Sequence, residues 1–474
     1  MGNVRRIDAG PDSSCTPRPV PRLSFRENLA GVRAMRRDQL AFLQRSRKTH
    51  GDIFRMRLGG LPMVVLTNPD HVHHVLVDRH TNYDKENFLY RTVRAILREG
   101  LIGNPGGATW SRNRRLMQPT FNHASVARFA PNMTGQTAEL LRAWPPRAAS
   151  GAVVDVVPPL ADLALKIVLR SLFGVDPDAR SRKFERDFLE VNRRLGDFLR
   201  FPFPPLHWRT PARDRLRFLT REMDGFVSYL FQVRQGRTEQ ADGHRSGPQQ
   251  QDLFTLLVRA VDAETGTGLT PTQLANEVLA MIIAGYETTS NSIAWVFYQL
   301  ARHPEVQHRV HDEVDDVLGG RMPAFDDLPR LPYSRMVVDE TLRMFTPAWQ
   351  TMRRAVDDDV IDGYHIPGGT ELHLNMFLLH RHPDFWPAPD RFDPDRFTPE
   401  AVAARPRHAY QPFGSGPRYC IGKHFALAEL HLILVMLAQT FSVTLPAADQ
   451  PPVGFAPLVT LHPKGGLHLR LYRR

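Results

Sequence analysis

Apolar residues recur along most of this chain at every third or fourth position, the spacing of amphipathic helices. The longest such stretch runs from Pro271 to His303, which corresponds to about nine helical turns. A helix of this length exceeds the usual size in globular proteins and typically runs through the middle of a large domain. Other helices are predicted over residues 35–50, 91–98, 110–121, 304–318 and 333–345, and over most of 125–235.

Short stretches that alternate apolar and polar residues predict β-strands between these helices. Residues 52–58 and 61–66 form a predicted hairpin joined at Gly59-Gly60, and a helix capped by Asn68 or Asp70 follows it. The pattern therefore predicts a mainly α fold with small β-sheets. Further strand signals lie at residues 360–361, 371–374 and 467–471.

Length and composition allow one large helical enzyme as well as two or three domains. The chain has 474 residues, of which 42% are hydrophobic, enough for a sizeable core, and it contains no internal repeat. Residues 236–251 are polar and of low complexity, which predicts a mobile surface loop rather than a domain boundary. We therefore expect a flexible segment over residues 1–20 and a single domain over residues 21–474.

The formal net charge is +11, which invites a nucleic-acid hypothesis. Arginines are spread over the whole chain, however, and no nucleic-acid module signature is present, so a basic docking face for an acidic protein is the better interpretation. Cys15 and Cys420 lie in dissimilar settings, which argues against a disulfide framework and favours a reducing compartment. The N-terminal region has neither a signal-peptide core nor an apolar run of about 20 residues, so we expect a soluble, cytoplasmic protein.

Glycines surround one of the two cysteines. Gly416 and Gly422 flank Cys420 within the segment 413–426, and a helical pattern follows directly. A sulfur at a helix N-terminus, where free N–H groups and the positive end of the helix dipole favour an anion, suits a thiolate with a lowered pKa. Taken alone, a small buried hydrophobic residue is the other interpretation of a free cysteine.

The long predicted helix carries a polar break in its middle, Ala284-Gly-Tyr-Glu-Thr-Thr289. Its two small residues would allow a planar cofactor or dioxygen to approach the backbone. The hydroxyl of Thr288, four residues after Ala284, can donate to that residue's carbonyl and bend or open the helix. A polar helix face is the alternative interpretation of this hexad alone.

Two pairs of residues share a helix face at a spacing of three or four. Trp110 and Arg114 are one pair, and Glu340 and Arg343 are the other. On an exposed helix such a pair contributes only ~0.2–0.5 kcal/mol, but burial changes this because a buried charge needs complete pairing. Arg396, in the segment 392–397, is a third candidate member of the second pair.

These patterns together resemble the cytochrome P-450 family, in the family's order and at plausible spacing, from about residue 20 to the end of the chain. The resemblance implies the cytochrome P-450 fold, with haem b between the long central helix and the helix after the cysteine loop. It also implies that the thiolate of Cys420 binds the haem iron, the ligation that favours O–O bond cleavage. The patterns are Trp110 with Arg114, residues 284–289, Glu340 and Arg343 with Arg396, and Phe413 to Gly422.

The same resemblance implies a role for each remaining candidate. Glu287 and Thr288 are the implied catalytic pair, in which Thr288 hydrogen-bonds the bound dioxygen and Glu287 supplies protons from solvent. Glu340, Arg343 and Arg396 form a structural triad. Arginine suits a haem propionate because its planar fork can bind a carboxylate through two hydrogen bonds. The implied haem contacts are Trp110, Arg114, Ala284, Arg353, Phe413, Arg418 and Gly422, with Arg114, Arg353 and Arg418 on the propionates.

The implied activity is that of a soluble, bacterial-type monooxygenase, which transfers one oxygen atom of dioxygen to a small apolar substrate with two electrons. No flavin or nicotinamide fingerprint remains outside the haem domain. Electrons are therefore expected from a ferredoxin and a ferredoxin reductase, with NAD(P)H as the ultimate donor. The ferredoxin would dock where Arg112, Arg115 and Lys423 cluster on the thiolate side of the haem.

The substrate pocket implied by the resemblance is mostly apolar, with no charged residue placed to bind a carboxylate. A terpenoid or polyketide skeleton therefore fits better than a fatty acid. The large excess of arginine over lysine suggests a GC-rich bacterial source with natural-product, or secondary, metabolism. The expected lining includes Phe88, Ile283, Ala348, Trp349 and Leu458.

Other functions stay open at this point. One is a fatty-acid hydroxylase, another is a peroxide-driven haem-thiolate enzyme or a family member that acts as an isomerase or dehydratase, and a third is a non-catalytic haem sensor or carrier. The presence of both Glu287 and Thr288 argues against the second and third, because a proton relay to dioxygen serves no purpose in them.

Overall fold

The computed structural model of the chain is mainly helical, and its described residues contain four small β-sheets. The structure describes residues 16–58, 61–144, 152–203, 208–241 and 252–474. The predicted turn at Gly59-Gly60, residues 1–15 of the predicted flexible segment and residues 242–251 of the predicted loop lie outside this range.

The elements are numbered separately for helices and strands in chain order. The α-helices are α1 Phe25–His50, α2 Pro69–His73, α3 Phe88–Leu97, α4 Gly107–Met117, α5 His123–Ala127, α6 Ala130–Ala143, α7 Val157–Phe173, α8 Ala179–Arg200, α9 Pro211–Ala241, α10 Leu253–Arg259, α11 Pro271–Arg302, α12 Pro304–Leu318, α13 Pro332–Met344, α14 Met376–Leu379, α15 Pro399–Ala404 and α16 Lys423–Thr440. The strands are β1 Arg18–Pro19, β2 Ile53–Leu58, β3 Leu61–Leu66, β4 Tyr83–Asp84, β5 Val153–Asp155, β6 Gln350–Ala355, β7 Asp359–Ile361, β8 Tyr364–Ile366, β9 Glu371–Asn375, β10 Phe441–Thr444, β11 Phe455–Pro457, β12 Leu461–Pro463 and β13 His468–Arg473.

The long predicted helix is α11, and it occupies the centre of the core. Thr270 caps its N-terminus, accepting from the N–H of Gln273 while the Gln273 side chain bonds back to the Thr270 backbone. From Glu277 to Ala301 most of its side chains are buried on all sides, as expected for a helix in the interior of a large domain. It packs along α7 and α16, so the residues in its middle lie close to the helix that follows Cys420.

The largest sheet has the strand order β2-β3-β9-β6-β4. The predicted hairpin pairs β2 with β3 antiparallel, and β3 then pairs parallel with β9. Asn68 caps α2, since its side chain accepts from the N–H of Asp70, which decides between the two cap candidates. The sheet matters for the site because β6 carries Arg353.

Several helices begin earlier than the apolar pattern predicts. Ser24 caps α1 ten residues before the expected start, and Asp38 interrupts this helix with extended backbone angles, its carboxylate accepting from the N–H of Ala41. Asn87 caps α3, whose first turn therefore includes Phe88. These starts depend on capping side chains, which the apolar spacing does not reveal.

Two predicted flexible segments are partly regular. Arg18 and Pro19 pair with Tyr364 and His365 in a parallel ladder, so the ordered chain begins before residue 21. Helix α9 continues to Ala241, so the first six residues of the predicted loop are helical.

Candidate active site

The loop from Phe413 to Gly422 is closed by a backbone hydrogen bond from the Cys420 N–H to the Phe413 carbonyl, 2.8 Å long. Gly416 has φ +68°, and a Cβ there would lie 1.8 Å from the Leu76 carbonyl oxygen. Only glycine fits this position, because both the backbone conformation and the close approach exclude a side chain. The loop thereby places Cys420 two residues before Gly422, the N-terminal cap of α16.

The thiol of Cys420 is solvent-accessible, yet the protein surrounds it closely enough to desolvate its charged form. Desolvation raises the pKa of Cys420 above its usual value, while the Gly422 N–H and the charges of Arg114 and Lys423 act in the opposite direction. The prediction of a lowered pKa is therefore wrong for the thiol alone. A bound metal cation reverses the balance, because a coordinating thiol is deprotonated outright.

Beside the cysteine loop, Arg114 of α4 is buried, and no described residue is its anionic partner. Its guanidinium lies over the Tyr419 ring, 4.5 Å from the centroid, and its Nε and Nη2 atoms make no hydrogen bond with the described part of the chain. Buried charges are normally paired or hydrogen-bonded. An unpartnered buried guanidinium of this kind indicates a site that an anion completes.

Arg353 and Arg418 extend the same positive region. Arg353 donates to the Thr351 hydroxyl and to the Met352 carbonyl, and Arg418 donates to the carbonyls of Asn104 and Pro105. Burial lowers the pKa of Arg353, and burial together with the charge of Arg353 lowers the pKa of Arg418 to about 10.

Lys85 is a fourth buried cation that the sequence analysis missed. Its Nζ donates to the Ile102 carbonyl at 3.0 Å and lies 4.2 Å from the Tyr90 ring centroid. Burial, and then the charges of Arg353 and Arg418, hold its pKa well below the usual value. Lys85 stands in the polar triplet Asp84-Lys85-Glu86, and nothing in this local pattern indicates that it is buried.

None of these four cations forms a salt bridge with a described residue. These cations repel one another, and a buried charge without a partner destabilises the fold. An anion with more than one negative charge would satisfy them together. The four cations are Lys85, Arg114, Arg353 and Arg418.

Trp110 supports this region rather than presenting a free N–H to it. Its indole Nε1 donates to the Leu101 carbonyl at 3.2 Å, and its ring lies beneath the Arg418 guanidinium. The segment that contains Leu101 also accepts from Lys85 and Arg418 through its carbonyls. It is therefore a common acceptor surface for the cations.

The predicted hydrogen bond in the middle of α11 is present, although the helix is continuous there and is not opened. The Thr288 hydroxyl donates to the Ala284 carbonyl at 2.6 Å, and Ala284 and Thr288 are partly exposed among buried neighbours. A Cβ on Gly285 would lie 2.8 Å from a methyl of Val168. Gly285 is therefore small because α7 packs against it, not because a cofactor approaches it.

Glu287 is buried, and its carboxylate oxygen Oε1 accepts three hydrogen bonds from other parts of the chain. Asn192 of α8 donates to it, as do the hydroxyl of Thr460 at 2.5 Å and Nε2 of His462 at 2.8 Å. The sequence analysis assigned Glu287 a role but identified none of these partners, which lie 95 to 175 positions away.

The predicted triad is assembled in the interior. Arg343 donates from Nε and Nη2 to both oxygens of Glu340, at 2.6 and 2.8 Å, with both side chains 0% exposed. Nε of Arg396 lies 3.5 Å from the same carboxylate, and the Asp393 N–H donates to it. The triad therefore joins α13 to the segment around residue 393.

Three of the five predicted pocket residues line one cavity. Phe88, Trp349 and Leu458 surround it together with Gly196 and several methionines, and the Trp349 indole N–H donates to the Leu458 carbonyl. Ile283, which is buried on α11, and Ala348, which is exposed, do not line this cavity.

The predicted cluster of docking cations, Arg112, Arg115 and Lys423, is reduced because acidic residues of the same chain neutralise Arg115. Arg115 is engaged by Asp262 at 3.0 Å and by Glu264 at 2.9 Å, and Arg112 donates to Gln273. Lys423 is exposed at the start of α16. Arg115 is therefore neutralised within the chain and does not add to a positive docking face.

Glu429 is a second residue that the sequence analysis missed. It lies on α16, fully buried, and accepts from the Thr289 hydroxyl of α11 at 3.4 Å. Burial raises its pKa well above the usual value, which favours the neutral acid. Glu429 thus links the two helices on either side of the site through a hydrogen bond. Its place nine residues after Cys420 is the only sequence signal that it carries.

The fold and the site combine a central helix with a cysteine loop that leads into a helix packed against it. Comparison with known proteins identifies the family. The model of the family described as "Cytochrome P450" matches residues 17–470. The chain therefore belongs to the cytochrome P-450 family, whose members are monooxygenases, a class of oxidoreductase, and which implies a haem-thiolate cofactor.

Individual relatives agree with this membership. Pentalenene oxygenase of Streptomyces avermitilis is 32% identical over 93% of this chain and 94% of its own length. Cyclooctat-9-en-7-ol 5-monooxygenase of Streptomyces melanosporofaciens is 32% identical over 86% of each chain. The crystal structure of the haem domain of cytochrome P450DA superposes with a TM-score of 0.83 at 26% identity, covering 97% of this chain and 98% of that one.

Among the described residues, no helix has the length and apolar character needed to span a membrane.

Proposed function

We propose that this chain is a haem-thiolate monooxygenase in which Cys420 binds the iron of haem b. The observation that carries the proposal is the pair of unpartnered guanidinium nitrogens on buried Arg114. A haem propionate would satisfy them, and a second propionate would satisfy the remaining cations. The accessible Cys420 thiol, in contact with the Gly422 N–H, fits the iron ligand.

The bound haem would supply dioxygen binding and reduction, and the residues of the chain would control its surroundings. Lys85, Arg353 and Arg418 would hold the propionates with Arg114. On α11, Thr288 would present its Oγ1 hydroxyl to the reacting side of the cofactor. The carboxyl group of Glu287 would pass protons toward that hydroxyl.

The proposed substrate is a small apolar terpenoid of bacterial natural-product metabolism. The names of two relatives specify oxidation of pentalenene and of cyclooctat-9-en-7-ol. The side chains around the cavity beside Phe88, Trp349 and Leu458 are mostly apolar, and this lining, rather than the small volume of about 20 Å³, supports a hydrocarbon skeleton. A polyketide remains within the proposal, and a fatty-acid hydroxylase is the alternative.

The substrate class can be tested by the spin-state change of the haem when a ligand displaces iron-bound water. The holoenzyme is titrated with a panel of terpenes, polyketides, fatty acids and aromatics. A saturable shift with terpenes is the expected result, and a shift with fatty acids alone would replace the proposal by its alternative. Product formation with peroxide but none with dioxygen and a ferredoxin would instead make the enzyme peroxide-driven.

The proposed electron donor is an acidic ferredoxin, reduced by a ferredoxin reductase with NAD(P)H, in the cytoplasm. Its docking face is centred on exposed Lys423, with His424 and His123 beside it, their rings 6.3 Å apart. Charge reversal in Lys423→Glu should weaken ferredoxin binding, and the effect should shrink at high salt. The matched control is Arg142→Glu on α6. Equal reduction of the Lys423 variant and the wild type would place the docking face elsewhere.

A further inference from the structure

The hydrogen-bonding partners of Glu287 define a junction of three elements. Its Oε1 oxygen accepts from Asn192 of α8, Thr460 and His462. The Val459 N–H also donates to the Asn192 amide oxygen at 3.2 Å. The turn between β11 and β12 is thereby fixed both to α8 and to the central helix.

His462 lies on the solvent side of this junction. It is on β12, opposite Ala456 of β11, and its side chain is 14% exposed while that of Glu287 is 5% exposed. Its Nε2 faces Glu287, whereas Nδ1 makes no hydrogen bond with the described residues. One ring nitrogen thus faces the buried carboxylate, and the other is free to exchange a proton with water.

The chemistry of the contact groups singles out His462. Asn192 and Thr460 are neutral at all ordinary pH values, and Glu287 is the only charged residue, among those described, that forms an ion pair or hydrogen bond with His462. Histidine is the side chain whose charge changes near neutral pH. Neutral donors are enough to satisfy the Glu287 oxygen. A titratable third donor, His462, can also transfer a proton to it.

We infer that His462 is the proton donor that recharges Glu287, so that protons enter the site from solvent through the β11–β12 hairpin. The Nε2–H bond of His462 breaks, an O–H bond forms on the Glu287 carboxylate, and Nδ1 takes up a proton from water in exchange. No electrons move in this step. The inference rests on the proposed function, because proton entry matters only if the enzyme reduces dioxygen.

Asn192 and Thr460 act as positioning residues in this relay. A Cβ on Gly196, one helical turn beyond Asn192, would lie 2.9 Å from the Leu458 Cα, so α8 and the hairpin are in close contact next to the substrate cavity. His462 therefore reaches Glu287 beside the contact between α8 and the hairpin.

The test compares His462→Gln, which retains an N–H donor but cannot carry an ionisable proton, with wild type. The matched control is His365→Gln, because His365 forms a similar but more exposed pair with Asp358 at 2.9 Å, far from the site in sequence. Turnover with ferredoxin and dioxygen should fall about 10- to 100-fold in the first variant and its solvent deuterium isotope effect should rise. Turnover with hydrogen peroxide, which brings its own protons, should stay within about twofold.

A second measurement does not depend on turnover. In the ferrous–CO holoenzyme, the ¹⁵N NMR signal of His462 Nε2 should change in Glu287→Gln and be unchanged in Glu371→Gln. Unaltered dioxygen turnover in His462→Gln, or equal loss with dioxygen and peroxide, would overturn the relay. Absence of dioxygen-dependent turnover in wild type with every ferredoxin tried would instead overturn the proposed function, together with the relay that rests on it.

Discussion

Arg418 lies over the indole ring of Trp110, with its guanidinium carbon 4.3 Å from the ring centroid. The ring is held at its edge by the hydrogen bond from Nε1 to the Leu101 carbonyl. The contact joins the cysteine loop to α4, two parts of the chain more than 300 residues apart. Trp110 therefore orients a cation that repels its buried neighbours.

Replacing the indole tests this support. In Trp110→Leu both the stacking surface and the N–H donor are lost, so Arg418 should lose its orientation and the protein should retain less haem. The stacking contribution is of the order of 1–2 kcal/mol, about a 10-fold increase in the rate of haem loss. Transfer of haem to a scavenging apoprotein measures that rate. Trp110→Phe keeps an aromatic ring, so its rate of haem loss should lie between those of wild type and Trp110→Leu. Equal rates in Trp110→Leu and wild type would refute the supporting role.

Replacing Arg114 should stabilise the haem-free protein but weaken the binding of haem. Arg114→Met removes an unpaired buried charge, so unfolding of the haem-free protein in urea should require more denaturant than in wild type. Haem dissociation should become roughly 10- to 100-fold faster, because a charge-assisted hydrogen bond is lost. The exposed Arg142→Met is the control for surface charge. A loss of stability in the haem-free variant would contradict the unpaired state of Arg114.

The stability of the protein should depend on the exact hydrogen-bonding geometry between buried Arg343 and Glu340. Arg343→Lys keeps the charge but cannot donate to both carboxylate oxygens and to the His380 carbonyl. We expect a destabilisation of about 3 kcal/mol or more, seen as a lower midpoint of urea unfolding and poor haem incorporation. Arg309→Lys, at the exposed pair with Asp395, should change the midpoint little. Similar midpoints for the two variants would contradict a structural triad.

Glu277 should make the stability of the protein depend on pH. It lies buried on α11, and burial raises its pKa to about 7, although the Leu101 N–H and the Asn113 amide donate to it. The folded protein therefore binds a proton more tightly than the unfolded chain, in which the value is near 4.5. The contribution of the protonated Glu277 to the free energy of unfolding is complete below pH 4.5. It is lost as the pH rises through 7.

Glu277→Gln should remove this dependence. Between pH 5 and 8 the variant should gain up to about 3 kcal/mol on wild type in the free energy of unfolding, measured by urea titrations at each pH. The exposed Glu400→Gln serves as the control. A constant difference between Glu277→Gln and wild type over this range would show that Glu277 is charged throughout.

The fold was largely predictable because its signals are local. The β2–β3 hairpin, the cap of α2 by Asn68 and the full length of α11 each follow from residues close together in the sequence. The start of α1 was not predictable from the apolar pattern, because charged residues obscure that pattern. Ser24 determines where the helix begins.

The site was predictable only where short motifs carry it. Thr288 and Ala284 form their hydrogen bond within one helical turn, so their spacing is enough to predict it. Lys85 and His462 acquire their significance from partners on distant elements, and no local pattern marks them. The pKa of Cys420 was predicted in the wrong direction, because the helix N-terminus is local but the desolvation is set by the whole packed loop.

The central claim is that Cys420 binds haem iron as a thiolate, and the absorption spectrum of the ferrous–CO complex tests it most directly. Wild type should show the Soret band strongly displaced to long wavelength, as thiolate ligation requires, and Cys420→His should bind haem but lose that displacement. A displaced band that persists in Cys420→His, or a wild-type protein that binds haem without ever showing one, would contradict the claim.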